Sequence, residues 1–257
     1  MPARGDALDA PLVVADGAAL AYNGEPVLAD LSLELTAGQL VIALGPNGGG
    51  KTTFFKALTG EVSVVAGSLQ LNGSIAYLPQ YDSSRVDFPV SALDVVLMGT
   101  LRERPFWRRA GRSDKARALA ALERVGLAAR ARDTYGELSG GQRRRVLLAR
   151  TIVQDADVIA LDEPLAGVDP ASAEAIHATL AALRDEGRLV LVASHDVEHA
   201  RAADNVLCLN GSLIASGIPG GCLTDDVLMQ TYAADLTVVT SADGTPLFAA
   251  AEHHHHH

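Results

Sequence analysis

The sequence predicts an α/β fold: a largely parallel central sheet with a smaller antiparallel sheet beside it. Three observations predict it. The apolar run Leu40 to Leu44 leads into Gly45-Pro46-Asn47-Gly48-Gly49-Gly50-Lys51-Thr52 and then into the helix-forming stretch Thr52 to Leu58. That is the strand, G-x-x-x-x-G-K-[ST] loop and helix order of a phosphate-binding loop. Val158–Asp162 and Leu189–Ala193 are continuous apolar runs, as strands buried on both faces of a parallel sheet require. Ahead of the loop, Leu12–Val14, Ala18–Tyr22 and Leu31–Leu35 read as short strands, with turns at Asp16-Gly17, Asn23-Gly24 and Ala37-Gly38, a pattern suited to a small antiparallel sheet.

In the loop, glycines let the backbone wrap until its N–H groups face phosphate oxygens. The helix beginning near Lys51 adds free amide donors and the positive end of its dipole. Lys51 is placed to reach β- and γ-phosphates, and the Thr52 hydroxyl to hold Mg²⁺. Tyr22, about two dozen residues before the loop, is a candidate to lay its ring on an adenine base; an ordinary strand aromatic is the alternative. Leu69–Leu71 and Ile75–Leu78 flank Asn72-Gly73, which suits a tight hairpin. The second run ends at Pro79-Gln80, where Gln80 can bond a metal-bound water or lie idle on the surface.

From residue 81 to about 136 the character changes. Asp94–Met98 and Ser113–Val125 read as helices, the second capped by Ser113 and ended by Gly126. Between them Arg102 to Arg112 is basic with two aromatics, a solvated loop or a surface that meets lipid headgroups or a partner. Leu138-Ser139-Gly140-Gly141-Gln142 opens a helix carrying Arg143, Arg144 and Arg145; Ser139 can cap it, and the glycines leave its N-terminus bare to an anion. The arginines read as a solvated or phosphate-adjacent helix face.

The apolar run from Val158 leads into the pair Asp162-Glu163, at the carboxyl end of a parallel strand, where ligands of such sheets bind. Asp162 suits a Mg²⁺ ligand, and Glu163 a carboxylate that orients or deprotonates a water. Ala171 to Glu186 forms a helix with Asp169 as cap and Pro170 in its first turn. Leu189–Ala193 ends at Ser194-His195-Asp196, which sets His195 level with Glu163 and able to bond a γ-phosphate. His177 and His199 read as surface or packing residues. Val206–Leu209 and Leu213–Ala215 pair around Asn210-Gly211, making Cys208 a small core residue. After Leu228 the chain reads as a short helix and a terminal hairpin around Asp243-Gly244.

The 257 residues allow one large domain, and 48% hydrophobic composition supplies a core. A formal charge of −10 argues against gripping nucleic acid. No run is long enough to cross a bilayer and no leader is recognisable, which places the chain in the cytoplasm. Cys208 and Cys222 are too far apart for a C-x-x-C pair. Residues 1–10 read as a disordered leader, and His253–His257 as an expression tag.

Together these motifs resemble the nucleotide-binding subunit of an ATP-binding-cassette (ABC) transporter, over Leu12 to Tyr232. The resemblance implies a P-loop NTPase (RecA-like) core with an antiparallel β subdomain and an α-helical signature subdomain at about 83–150. These lie in one domain spanning 11–235, with a C-terminal extension at 236–252. It implies that ATP is held by Tyr22, by Gly45, Pro46, Asn47, Gly48, Gly49, Gly50, Lys51, Thr52 and Thr53 of Walker A, and by Asp169 of the D-loop. A second copy's signature, Ser139, Gly140, Gly141 and Gln142, covers that ATP in a head-to-tail homodimer. Mg²⁺ falls to Thr52, Gln80 of the Q-loop and Asp162 of Walker B, and hydrolysis to Glu163, the switch residue His195, Lys51 and Gln80.

The implied partners are transmembrane permease subunits, docked near residues 81 to about 112 on the inner face of the membrane, and indirectly an extracytoplasmic metal-binding protein. Val86 to Gly99 is similar to the matching stretch in manganese, zinc and iron importers; an iron-siderophore or other substrate is the alternative. Gly49 stands where the family commonly has Ala, and Thr52 where it commonly has Ser. A non-transport cassette protein would show tandem cassettes or long heptad insertions, and neither occurs here. A subunit without turnover would lack Glu163 or His195, and both are present.

Overall fold

The computed structural model describes residues 10–22, 24–80, 89–103, 110–232, 236–240 and 246–250. In chain order the first elements are β1 (Val13–Tyr22), β2 (Glu25–Leu35), β3 (Leu40–Leu44), α1 (Lys51–Leu58), β4 (Ser63–Leu71) and β5 (Ile75–Leu78). A run of helices follows: α2 (Ala92–Met98), α3 (Arg112–Arg124) and α4 (Gly140–Ile152). The chain then alternates through β6 (Val158–Asp162), α5 (Pro170–Asp185), β7 (Leu189–Ser194) and α6 (Val197–Arg201). It ends with β8 (Asn205–Leu209), β9 (Leu213–Gly217), α7 (Pro219–Cys222), α8 (Asp225–Tyr232), β10 (Leu236–Thr240) and β11 (Pro246–Ala250).

The central sheet runs β5-β6-β7-β3-β8-β9, parallel except for the antiparallel edge strand β9. The inner strands β3, β6 and β7 are almost wholly buried because each face of the sheet meets its own core. Ile42, Leu44, Leu161, Val190 and Val192 pack toward α2 to α5. The alternate residues Val41, Ala43, Ala160, Leu189 and Leu191 pack with α1 and the antiparallel sheet β2-β1-β4. Phe54 and Phe55 of α1 are wholly buried in this second core, each contributing roughly 1.5–3 kcal/mol by removal from water. In β2 the alternation Leu31, Leu33, Leu35 turns inward, which holds that sheet over α1.

Three local expectations are corrected. Asp16-Gly17 makes no turn: β1 runs through it, with register shifts against both neighbours. Gly17 (φ 54°) meets Gly67 (φ 63°), where a Cβ would lie 2.3 Å from the Asp16 and Gly17 carbonyls. A bulge and a turn ask for the same residue, and continuous pairing on both edges favours the bulge. Asn72-Gly73 makes no hairpin either. β4 pairs with β1, β5 pairs in parallel with β6, and the dipeptide carries the chain from one sheet to the other. Asp157 secures the crossing by accepting from the Ser74 amide (2.9 Å) and hydroxyl (2.8 Å). Finally, α3 starts after Gly111, whose N–H donates to Asp114 Oδ2 at 2.8 Å, and Ser113 lies inside the helix.

Elsewhere the local chemistry acts as read. Ser139 accepts from Gln142 N while Gln142 Oε1 accepts from Ser139 N, a capping box. Asp169 caps α5 by accepting from Ser172 N at 3.0 Å, and Gly211 (φ 68°) turns β8 into β9. His177 and His199 meet edge to face with centroids 5.0 Å apart. β10 and β11 pair antiparallel; Asp243-Gly244 lies outside the described residues, as do Asn23, residues 1–9, 81–88 and 104–109 and the histidine run.

Cys208 and Cys222 are both buried and unbridged, and burial pushes the Cys208 thiol up to about 11. Neither should form adduct with iodoacetamide in the native protein at about pH 8, whereas both should react once it is unfolded. Mass spectrometry of the two digests checks this; rapid native labelling of Cys208 would contradict the packing.

Candidate functional site

β3 delivers the chain to Gly45, where the loop passes against the end of β8. A Cβ at Gly45 (φ 158°) would lie 2.0 Å from the Leu209 carbonyl oxygen, and one at Gly49 would lie 2.8 Å from it. The lack of a side chain at Gly49 therefore matches a close backbone approach. Gly48 (φ 82°) and Gly50 (φ 101°) supply left-handed turns, and α1 then starts at Lys51 without a side-chain cap. Its first amides are left to the cleft.

That cleft, of about 350 Å³, is lined by Asn47, Gly48, Gly50, Lys51, Thr52 and Thr53, by Val27, and across from them by Gln80, Asp162 and Glu163. Lys51 is buried and its Nζ donates to the Gly45 (2.7 Å) and Pro46 (2.8 Å) carbonyls. Burial lowers its pKa, while the Glu163 and Asp162 charges oppose that shift. Asp162, 1% exposed, accepts from Thr52 Oγ1 at 2.6 Å and from the Tyr77 hydroxyl at 3.3 Å. Burial and the Asp162 charge push the Tyr77 pKa up, so it remains a donor. Thr52 and Asp162 thus present hard oxygen ligands side by side, the donor chemistry that Mg²⁺ takes.

Glu163 follows at φ 47°, a left-handed conformation that costs a non-glycine residue of order 1–3 kcal/mol and persists only where its surroundings over-determine it. Its surroundings do so. Gln80 Nε2 donates to Glu163 Oε2 at 2.9 Å, and His195 Nδ1 lies 3.5 Å from Oε1. The Glu163 side chain is 10% exposed and that of His195 58%. Glu163 is also the wall of a second cleft, about 300 Å³, formed with Pro164 to Gly167 and Val192 to Asp196. A carboxylate placed between a phosphate cradle and an exposed imidazole can orient a water toward the cradle.

The remaining sequence candidates stand apart from this cluster. Ser139 and Gly140 are exposed, and neither they nor Gln142 line either cleft. Gly141 is buried against the D-loop: a Cβ there would come within 2.4 Å of Asp169 Oδ2 and 2.5 Å of Ser172 Oγ. Hydrogen bonds from Ser172 hold the Asp169 carboxyl below its usual range. Tyr22, 39% exposed, lies outside the cleft; its hydroxyl accepts from Lys56 Nζ of α1 at 2.9 Å.

Sequence reading missed three residues. Tyr77 was an unremarked strand aromatic. Tyr232 is buried on α8; its hydroxyl donates to the His195 carbonyl at 3.2 Å and accepts from the Gly45 amide. Arg144 is no solvated face: its guanidinium reaches five carbonyls at the exits of β5 and β6. The register of β5 on β6 sets Tyr77 opposite Ala160, two residues before Asp162. The Arg144 contacts span 18 to 65 residues and the Tyr232–His195 contact 37, and no local pattern announces them.

Comparison with known proteins agrees with this geometry. The family model described as ABC transporter matches residues 28–166. The manganese transport system ATP-binding protein MntB of Bacillus subtilis is 40% identical over 86% of this chain and 92% of its own length. The zinc transport system ATP-binding protein TroB of Treponema pallidum is 39% identical over 86% of each. Among solved structures, a metal-chelate type ABC transporter in an inward-facing conformation superposes with a TM-score of 0.81 at 26% identity, covering 94% of this chain and 98% of that one.

The packing of Gly141 sets a test. Gly141→Ala should lower stability by about 1–3 kcal/mol, the usual cost of overpacking, because the methyl group must displace the Asp169 cap or the Ser172 side chain. Denaturant unfolding measures this, and an unchanged midpoint would contradict the contact.

Proposed function

We propose, from the premise that this chain belongs to the ABC transporter family and is an ATPase of that family, that it powers a divalent-metal importer. In this reading ATP seats its β- and γ-phosphates on the Gly45–Thr52 loop, the first amides of α1 and Thr53. Lys51 leaves the loop carbonyls for the phosphates, and the Tyr22 ring takes the base. Thr52, Asp162 and Gln80 would hold Mg²⁺, which would supply positive charge to the phosphates. Glu163 accepts a proton from the attacking water, Gln80 and His195 fix its carboxylate, and His195 bonds the γ-phosphate.

One observation carries the reading. The cleft gathers the glycine loop, Lys51, Thr52, Gln80, Asp162 and Glu163 on one side of a triphosphate, while Ser139 and Gly140, at the N-terminus of α4, stand exposed outside it. A helix N-terminus attracts anions, and a second copy set head to tail brings its own to the open side of the cleft. ATP then joins two copies, and hydrolysis releases them. Asp169, tied to Gly141 through α5, sits beside that contact.

Among the described residues no helix is long and apolar enough to cross a membrane. In this reading separate permease subunits carry the substrate path, which the transport-system names of the relatives support, and this subunit is peripheral on the inner face. Metal as cargo is supported by the manganese and zinc relatives, and an extracytoplasmic metal-binding protein would deliver it.

Lys51→Ala should weaken ATP binding about 10²-fold or more, because it strips the cation from a buried phosphate contact; titration calorimetry reads this, and unchanged affinity counts against the loop assignment. Glu163→Gln should bind ATP and Mg²⁺ yet lose about 10²–10⁴ in kcat, leaving an ATP-locked dimer in gel filtration. A variant that stays monomeric under those conditions sinks the sandwich. Reconstituted with its permease, the wild type should hydrolyse ATP faster when manganese, zinc or ferrous ion is supplied; indifference to all three argues for another cargo.

A further inference from the structure

Arg144 lies in the second turn of α4, the helix that opens with Ser139 to Gln142. Its Nη2 donates to the Asp162 (2.7 Å) and Glu163 (2.9 Å) carbonyls and its Nε to that of Pro164 (3.2 Å). Nη1 reaches the carbonyls of Pro79 (3.4 Å) and Gln80 (3.3 Å). A guanidinium carries five N–H donors in a rigid plane and no acceptor, and here one plane meets the backbone of both strand exits, Asp162 to Pro164 after β6 and Pro79-Gln80 after β5. Two of these carbonyls belong to Glu163, which holds a left-handed φ of 47°, and to Gln80, which bonds the Glu163 carboxylate at 2.9 Å. Neither Arg143 nor Arg145 does this: Arg143 donates to Gly136 and Leu138, and Arg145 to Val125.

We propose that Arg144 is a positioning residue for hydrolysis, holding the Glu163 backbone in its left-handed turn and the Gln80 backbone beside it, from the helix that carries the signature motif. This deepens the function proposed above and rests on Glu163 being the water-activating carboxylate. Arg144 touches neither phosphate nor water in this assignment; it acts through Glu163. The geometry also means that the helix carrying the signature motif is bonded to the backbone of this subunit's own Glu163, which links the two.

The test is a double-mutant cycle on the full chain. Arg144→Met keeps the length of the stem and removes the donors. It should lower kcat by about 10²-fold, as displacement of a catalytic group by about an ångström does, with KM for ATP changed less than about 2-fold. Arg144→Lys should recover part of the loss, since one ammonium offers only three donors where five carbonyls wait. In the Glu163→Gln background, adding Arg144→Met should change the residual single-turnover rate less than about 2-fold, because residues acting as one unit are non-additive. ATP-dependent dimerisation of the double variant should match that of Glu163→Gln alone.

Losses that multiply in the double variant would overturn the proposal, as would a raised KM with unchanged kcat. If Arg144→Met does not fold, the same cycle is run with Arg144→Lys and judged by the same additivity. Failure of the underlying function looks different: Glu163→Gln alone would then fail to form the ATP-locked dimer, whatever residue stands at 144.

Discussion

The bond from Thr52 Oγ1 to Asp162 Oδ2, 2.6 Å long, is the constraint from which the site follows. It joins the first turn of α1 to the end of β6, through two residues 110 positions apart in the chain. Asp162 is 1% exposed, and a carboxylate that deep in a core is tolerable only with donors around it. Thr52 and Tyr77 supply them. Once Asp162 is seated, the next residue has to leave the strand at the mouth of the phosphate loop, and the left-handed turn at Glu163 sends its side chain toward Gln80 and His195. A pair of acids at a strand exit thereby divides its work. One is enclosed and bonded to a hydroxyl; the other stands at the boundary of two clefts.

The two cores explain why this arrangement is stiff on one side and open on the other. The face of the central sheet toward α1 is closed by the antiparallel sheet, with Phe54 and Phe55 wholly buried between them. The opposite face is closed by α2 to α5, a helical layer whose leading edge is the exposed cap at Ser139. The phosphate cradle belongs to the first packing unit and the signature motif to the second. Arg144 and the Asp169–Gly141 contact are the places where the helical layer grips the strand exits and the loop that follows β6.

Much of this was legible in the sequence, and the reasons are physical. Strand β3, its glycine loop and α1 could be read because phosphate chemistry dictates both residue type and spacing over one short stretch. The apolar runs at β6 and β7 were legible because burial on both faces removes the polar alternation. Caps at Ser139 and Asp169 were legible because capping is local. What misled was equally local: Asp16-Gly17 and Asn72-Gly73 are conformationally permissive dipeptides, and permissiveness does not say whether a chain turns, bulges or crosses between sheets. Partner availability decided each case, β4 completing the edge of β1 and β6 recruiting β5. Arg144 and Tyr232 were illegible for a related reason. Both bond to main-chain carbonyls, and a carbonyl has no letter in the sequence.

The hydroxyl of Tyr232 has a practical implication. It stands between the Gly45 amide and the His195 carbonyl, so the final turn of α8 is a cross-brace between the glycine loop after β3 and the exit of β7 rather than a trailing appendage. Truncations that stop short of it would release both anchors together, and a fluorescent reporter fused directly after it would exert its drag on the brace. An engineer wishing to label this subunit without disturbing turnover should leave α8 whole and place a generous spacer beyond it.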